Sequence, residues 1–485
     1  MKVGIVGAGI SGVVAGAHLE KANIDYTVFE RSSAPGGIWL YDERIDSDSP
    51  YPAVRPSGGD RDEASGSTLN LANDDSDIKH APPGPCYDGL TNNVSTRLLK
   101  LQLNSWPPGT VDYVNHRVIN DYIRDTSEKV GVNERTLYNT KVEKIEKSGA
   151  KWHFKTTTLT RDRSEPKKLD QSWSFDAIVI ASGHYHVCRI PDIPGLAEWK
   201  RKWPSRVQHS KNYRRPGPFK SQNVLLIGAG TSSTDIAREL GSEASTIYQT
   251  SRGGSFDLPS TLLPGNGFRV SDIESFETPP LADSENEPDL DPVDPIPYKV
   301  ILRDKRVLSD IHRVIVCTGY HISLPFLSDY HSDGTPATQA SDTILVTDGT
   351  QIHNLHKDIF YIPDPTLTFI GVPYFTATFT LFEFQAVALA AVLSGKAQLP
   401  SQDEMRSEYH ERTREKGTGK AFHSLAGHEV QYVNSLVGWL NQDGQRLGAN
   451  PVEGHTAAWH AADADRKKFL EEKLGRKFLE QIALN

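Results

Sequence analysis

The chain has 485 residues and a formal net charge of −9, with 53 Lys and Arg against 62 Asp and Glu. That length exceeds one small domain and can bury large cores. The acidic balance, with no run of basic residues, excludes an electrostatic fit to nucleic acid or to an anionic membrane, and Cys86, Cys188 and Cys317 stand too far apart for a disulfide framework or a zinc spacing.

Met1 to Val6 reads as a short buried strand, followed by Gly7-Ala8-Gly9-Ile10-Ser11-Gly12. Gly7, Gly9 and Gly12 let the chain turn tightly and bring bare N–H groups to a pyrophosphate at a helix N-terminus. In the helix that follows, Ile10, Val13, Val14 and Ala17 share one face. The second strand, Tyr26 to Phe29, ends at Glu30. An acidic residue there accepts from a ribose hydroxyl and repels a 2′-phosphate, which favours FAD or NAD over NADP. Because the chain opens on this strand, no signal peptide is expected ahead of it, and the cytosol is the expected compartment.

Residues from Ser47 to Pro85 are rich in Ser, Asp, Pro and Gly and read as a long surface excursion, and Asp283 to Pro297 as a second. Phe175 to Gly183 reads as a strand running into a glycine turn, a shape repeated by Arg313 to Tyr320. His184 and His186 alternate across an extended segment and lack a third ligand, so no metal is expected.

A second fingerprint, Gly228-Ala229-Gly230-Thr231-Ser232-Ser233, follows the strand Gln222 to Ile227 and opens another helix. After the next strand, Ala244 to Gln249, comes Thr250-Ser251-Arg252 where the first unit has Glu30. A guanidinium and two hydroxyls suit a 2′-phosphate, so this unit is read as the NADP(H) site, with a solvated surface arginine as the alternative for Arg252. Gly228, Gly230, Thr231, Ser232 and Ser233 are the residues expected at its pyrophosphate. Phe382 to Leu393 is apolar but interrupted by Glu383 and Gln385; it is shorter than the roughly 18 apolar residues of a membrane span and reads as a core helix.

Several segments resemble class B flavin monooxygenases of the yeast and fungal type. Gly36-Gly37-Ile38-Trp39 resembles their GGxW segment. Trp203 to Arg214 is similar to their signature FxGxxxHxxxY(K/P), with His209 and Tyr213 matching, and Trp203 and Ser205 replacing its Phe and Gly. Cys317-Thr318-Gly319-Tyr320 resembles the CTGY segment, and Asp358 to Phe369 a C-terminal flavin-domain segment. The resemblance runs in family order through nearly the whole chain, closer to the N- and S-oxygenating branch than to the Baeyer–Villiger branch.

It implies an α/β fold of two Rossmann-like dinucleotide-binding domains, the NADP domain inserted into the FAD domain. Residues 1–186 would form the first part of the FAD domain, 187–322 the NADP domain, and 323–485 the second part of the FAD domain with C-terminal helices. It implies FAD and NADP(H) as cofactors, O2 as co-substrate, and a small amine, thiol or sulfide as the nucleophile that takes oxygen from a C4a-hydroperoxyflavin shielded by NADP+. Relatives are often dimers, so a homodimer is among the states it implies. Gly37, Trp39, Gly319 and Gln385 join the expected cofactor residues, and His209 and Tyr213 are expected to hold the domain junction and the NADP phosphates. Thr91-Asn92-Asn93-Val94-Ser95 resembles the family's TN-x-P stretch. Asn93 is the catalytic candidate, because its amide can stabilise a peroxide oxygen; Asn92 stands one register away, and the alternatives for Asn93 are a turn asparagine or the glycosylation sequon Asn93-Val94-Ser95, idle in a cytosolic chain. A Baeyer–Villiger enzyme and a flavoprotein reductase are the competing functions; the reductase needs a cysteine pair that the sequence lacks.

Overall fold

The computed structural model describes residues 1–46, 49–59, 75–162, 165–254, 256–278, 291, 293–475 and 479. Much of both polar tracts, including 60–74 and 279–290, lies outside the described residues. Two sheets carry the fold. The first runs in the order Leu355–His356, Phe360–Tyr361, Leu367–Phe369, Ala177–Ile180, Lys2–Val6, Asp25–Phe29 and Thr136–Leu137. Its centre is parallel, with Val6 opposite both Phe29 and Ile180. The second runs Gly267–Val270, Thr246–Thr250, Asn223–Ile227, Arg313–Val316 and Val207–His209, parallel throughout. Central strands covered on both faces have no polar side to show, so Val3, Ile5, Val179, Leu225, Leu226 and Ile315 are all buried.

The second sheet is built from chain that lies between the strands Ala177–Ile180 and Leu367–Phe369 of the first, so one Rossmann-like domain is inserted into the other. The chain crosses on a narrow ribbon in which Val187–Cys188 pairs antiparallel with Tyr320–His321. The two strand-plus-glycine segments end in equivalent places. A Cβ on Gly7 would lie 2.6 Å from the Ala181 carbonyl oxygen, and one on Gly228 would lie 2.8 Å from that of Cys317. Both glycines have positive φ, +101° and +107°, which gives each loop a sharp turn an L side chain resists.

The C-terminal part supplies the helices Thr378–Leu393, Gln402–Lys416, Glu429–Leu447 and Ala457–Leu474. The first begins earlier than the apolar run suggested and packs on the helix Ile10–Lys21. Its polar interruptions are satisfied inside the core, since Glu383 accepts from the backbone N–H groups of Gln102 and Leu103 at 2.7 and 3.1 Å. Among the described residues, no helix is long and apolar enough to cross a membrane.

Candidate functional site

A cleft of about 4370 Å³ runs between the two glycine loops. Pockets for drug-sized ligands measure roughly 300–1,000 Å³, so this cleft is several times larger. Gly7, Gly9, Glu30, Gly37, Trp39, Asn92, Asn93, Gly228, Gly230, Thr231, Ser232, Arg252 and Gly319 line it.

The first loop is fixed from within. Glu30 is buried, its Oε2 accepting from Ala8 N at 2.7 Å and its Oε1 from Ser32 N at 2.8 Å. A carboxylate has about four acceptor positions, so Glu30 braces the loop and keeps capacity for a ribose hydroxyl. Gly9 and Gly37 face each other across the loop, and a Cβ on Gly9 would come within 3.4 Å of Gly37 Cα. Gly12 lies behind them, closed against the carbonyl of Gly7. This glycine cradle, with helix Ile10–Lys21 starting directly behind it, fits a flavin dinucleotide.

The second loop repeats the geometry with different chemistry. Gly228 N donates to Thr250 Oγ1 at 3.1 Å. In the position equivalent to Glu30, the Ser251 hydroxyl donates to Asp257 at 2.5 Å and accepts from Gly253 N at 3.0 Å. The carboxylate at this position is that of Asp257, taken up by the Ser251 hydroxyl and Gly254 N, and Arg252 beside it is exposed on the cleft. Ser233 replaces the third glycine and is buried, its hydroxyl taken up by Gln249 Nε2 at 2.7 Å. Replacing Arg252 with alanine is expected to raise the KM for NADPH about tenfold or more, the size of one charged hydrogen bond, and to leave the KM for NADH nearly unchanged. Steady-state kinetics with both nucleotides checks this, and equal effects would remove the phosphate role.

The structure separates the two neighbouring asparagines. Asn92 is buried and spends its whole amide on the backbone, donating to Val94 O and Asp112 O at 2.7 and 2.8 Å and accepting from Val114 N at 2.6 Å. Asn93 is exposed to the cleft, and its amide makes no hydrogen bond to the described residues. The backbone alternation that buries one side chain presents the other.

His209, Tyr213 and Gln385 lie off the cleft wall and act through other residues. His209 is buried, and burial together with nearby Lys211 pushes its pKa down to about 3. The neutral ring donates from Nε2 to Gly319 O at 3.1 Å and accepts at Nδ1 from Lys211 N at 3.1 Å. It thereby ties the signature segment to the ribbon that leaves the inserted domain. The Tyr213 hydroxyl donates to Glu239 Oε2 at 2.8 Å, bracing the helix Thr231–Leu240 behind the second loop. Gln385 accepts from Gly371 N at 3.1 Å and donates to the Tyr432 hydroxyl at 3.0 Å, which sets the turn against Ser11.

Other contacts escaped sequence reasoning. Lys211 is buried and paired with Asp46 at 2.7 Å, docking the signature segment on the first domain. Asp358 is buried against Arg412 and His423, at 2.9 and 2.8 Å, under the floor of the cleft. Phe375, at φ +56°, stacks at 5.8 Å on Phe256 from the inserted domain. Their partners are distant in sequence, so spacing carries no signal for them.

Fold and cleft together define a flavoprotein with two unlike dinucleotide sites facing one another. The flavin-binding monooxygenase-like family matches residues 85–269 and 297–446, and an NAD(P)-binding Rossmann-like domain matches residues 5–53. The flavin-containing monooxygenase ustF2 of Aspergillus flavus is 44% identical, covering 96% of this chain and 97% of that one. The flavin-containing monooxygenase iboF of Amanita muscaria is 29% identical, covering 93% and 90%. The solved S-allyl-L-cysteine S-oxygenase of Allium sativum superposes with a TM-score of 0.69 at 22% identity, over 99% of this chain and 94% of that one. The chain belongs to the flavin-containing monooxygenase family, with FAD and NADP(H) as its cofactors.

Proposed function

We propose that the protein is a cytoplasmic NADPH- and O2-dependent monooxygenase that oxygenates a soft nucleophilic N or S atom of a small molecule. The observation that carries this is the uncommitted amide of Asn93 on the wall of a cleft lined by Glu30 at one glycine loop and by Arg252 at the other. Bound FAD supplies hydride acceptance from NADPH and activation of dioxygen. The chain does the rest. Glu30 and the first glycine loop position the flavin nucleotide, and Arg252 and the second loop select NADPH. Asn93 can donate to a developing negative oxygen and accept from a bound amide. The 44% identity to a flavin-containing monooxygenase along nearly the whole chain supports this reading over attack on a ketone.

The reductase alternative needs a thiolate. Cys86, Cys188 and Cys317 are unbridged and buried, and burial pushes the thiols of Cys86 and Cys317 up to about 12.

Replacing Asn93 with serine is expected to leave flavin content and flavin reduction by NADPH intact and to divert turnover to hydrogen peroxide, with coupling to product falling about tenfold, since one donor to a developing oxyanion is commonly worth more than that. Parallel measurement of NADPH loss, peroxide and product checks it; full coupling in the variant would dismiss Asn93. Stopped-flow mixing of the reduced protein and NADP+ with O2 tests the wider reading: a transient flavin absorbance distinct from the oxidised and reduced forms is expected, and direct reoxidation would count against a monooxygenase.

A further inference from the structure

Beside Asn93, the cleft wall carries charged groups that the oxygenation chemistry does not use. Glu429 opens the helix Glu429–Leu447 and is 7% exposed. Its Oε2 accepts from Ala377 N at 2.8 Å, at the start of the helix Thr378–Leu393. Its Oε1 makes no hydrogen bond of good geometry to the described residues, with the Thr376 hydroxyl acting on the carboxylate from close by. The nearest basic group is His455 Nε2 at 3.9 Å, which also lacks a partner. His455 stacks on Trp459 at 3.5 Å, and burial holds its pKa down to about 4, so at neutral pH it brings no counter-charge.

Two turns beyond Trp459 on the same helix, Arg466 presents a guanidinium whose Nε is buried without a partner. Its closest acid, Asp463, is 3.8 Å away and is already answered by Lys467 at 2.8 Å. Arg466 acts on Glu429 electrostatically, and Asp463 acts on it with the opposite sign. Glu429, Trp459, Asp463 and Arg466 line the same cleft as Asn93. The link to Asn93 is short. Val94, its neighbour, packs on the cluster of Leu98, Ala377, Trp459 and Ala462 together with Val430. Leu98 O accepts from both Trp459 Nε1, at 3.3 Å, and Thr380 Oγ1, at 3.1 Å.

A buried carboxyl oxygen and a buried guanidinium nitrogen left unmade are each costly in a desolvated wall. A single ligand bearing an ammonium and a carboxylate removes both costs, because Glu429 takes the first through a charge-assisted bond and Arg466 the second through its planar fork. We infer that Glu429 and Arg466 recognise the head of a zwitterionic α-amino acid whose side chain extends toward Asn93. The oxidised atom is then the side-chain sulfur or nitrogen, since the α-ammonium has no lone pair with which to attack oxygen. This rests on the monooxygenase reading above for the identity of the reaction, and on the wall itself for the recognition.

The test is equilibrium binding by titration calorimetry to the protein holding FAD and NADP+, with four probes: S-methyl-L-cysteine, its N-acetyl derivative, its methyl ester and ethyl methyl sulfide. The zwitterion is expected to bind about tenfold or more tightly than either blocked form, the worth of one charged hydrogen bond. Glu429→Gln is expected to erase the preference for a free amine while leaving the N-acetyl probe unaffected, and Arg466→Met to erase the preference for a free carboxylate while leaving the ester unaffected. A merely structural role would weaken all four probes alike. Equal affinities in the unsubstituted protein, or no binding of S-methyl-L-cysteine, would overturn the proposal without recourse to any variant. Sulfoxide formation is read separately: selective binding with no oxygenation of any probe leaves the recognition site standing and brings down the monooxygenase reading.

Discussion

Replacing Gly12 with alanine is expected to give a colourless protein. The added Cβ would lie 1.9 Å from the carbonyl oxygen of Gly7, a backbone atom that cannot swing aside. Gly7 is itself held at φ +101° between the strand Lys2–Val6 and Ala181, and Gly7 N donates to Phe29 O at 2.8 Å. The helix Ile10–Lys21 must therefore lift away from the strand, carrying with it the N–H groups meant for the pyrophosphate. Losing two such bonds to a charged group weakens FAD binding about 100-fold or more. The flavin absorbance of the purified protein, set against its circular dichroism, checks this. A stoichiometric yellow protein would show that the loop yields more easily than its geometry implies. Because the second unit carries Ser233 at the equivalent position with its hydroxyl absorbed by Gln249, a Ser233→Ala change is expected to leave flavin content untouched.

The second large effect is expected at Asp358. Burial alone would raise its pKa, but Arg412 and His423 outweigh burial and hold the carboxyl well below the usual carboxylate range. The pair with Arg412 is bidentate, both contacts at 2.9 Å, and His423 Nδ1 meets Oδ1 at 2.8 Å. His423 in turn reaches the backbone of Ile352, at 3.1 Å, and of Tyr374, so the ion pair anchors the turn that floors the cleft. Asp358→Asn keeps a residue tolerant of the positive φ of 56° found here and removes only the charge. Leaving Arg412 unpaired is expected to cost about 3 kcal/mol, read as a lower urea midpoint for flavin release. The pH dependence follows from the depressed folded-state pKa. The stabilisation is fully present above the unfolded value of about 3.9 and is lost as pH falls through the folded one. The gap between the two proteins should therefore hold steady from pH 8 to pH 5 and close only in strong acid. A gap that closes near neutrality would assign the effect to another group.

The parts of this protein legible from sequence are those in which a local pattern carries its own physics. The two glycine loops, the strands before them and the helices after them are contiguous, so the period of the apolar residues and the position of Glu30 were enough to expect a dinucleotide at each. The contrast between Glu30 and Arg252 needed no third dimension either, because both stand at the end of the second strand of their unit. The apolar helix was legible in kind but not in extent. Its first turn, from Thr378, is helical because Ala377 N is capped by Glu429, a contact across the chain that no local pattern records.

Tertiary structure decided how the neighbours of these patterns are used. His209, Tyr213 and Gln385 are drawn from motifs at the cofactors, yet each is turned away from the cleft to hold a loop, a helix or a turn. Asn92 and Asn93 are indistinguishable as letters; the backbone of Val94, Asp112 and Val114 claims the first amide and leaves the second free. The buried charges of Asp358 and Lys211 depend on partners brought from far along the chain. Sequence determined which nucleotides this protein holds, because phosphate and ribose recognition is built from a few consecutive residues. Only folding decided which side chains line the cleft, because a pocket wall is assembled from segments whose proximity is set by packing rather than by order.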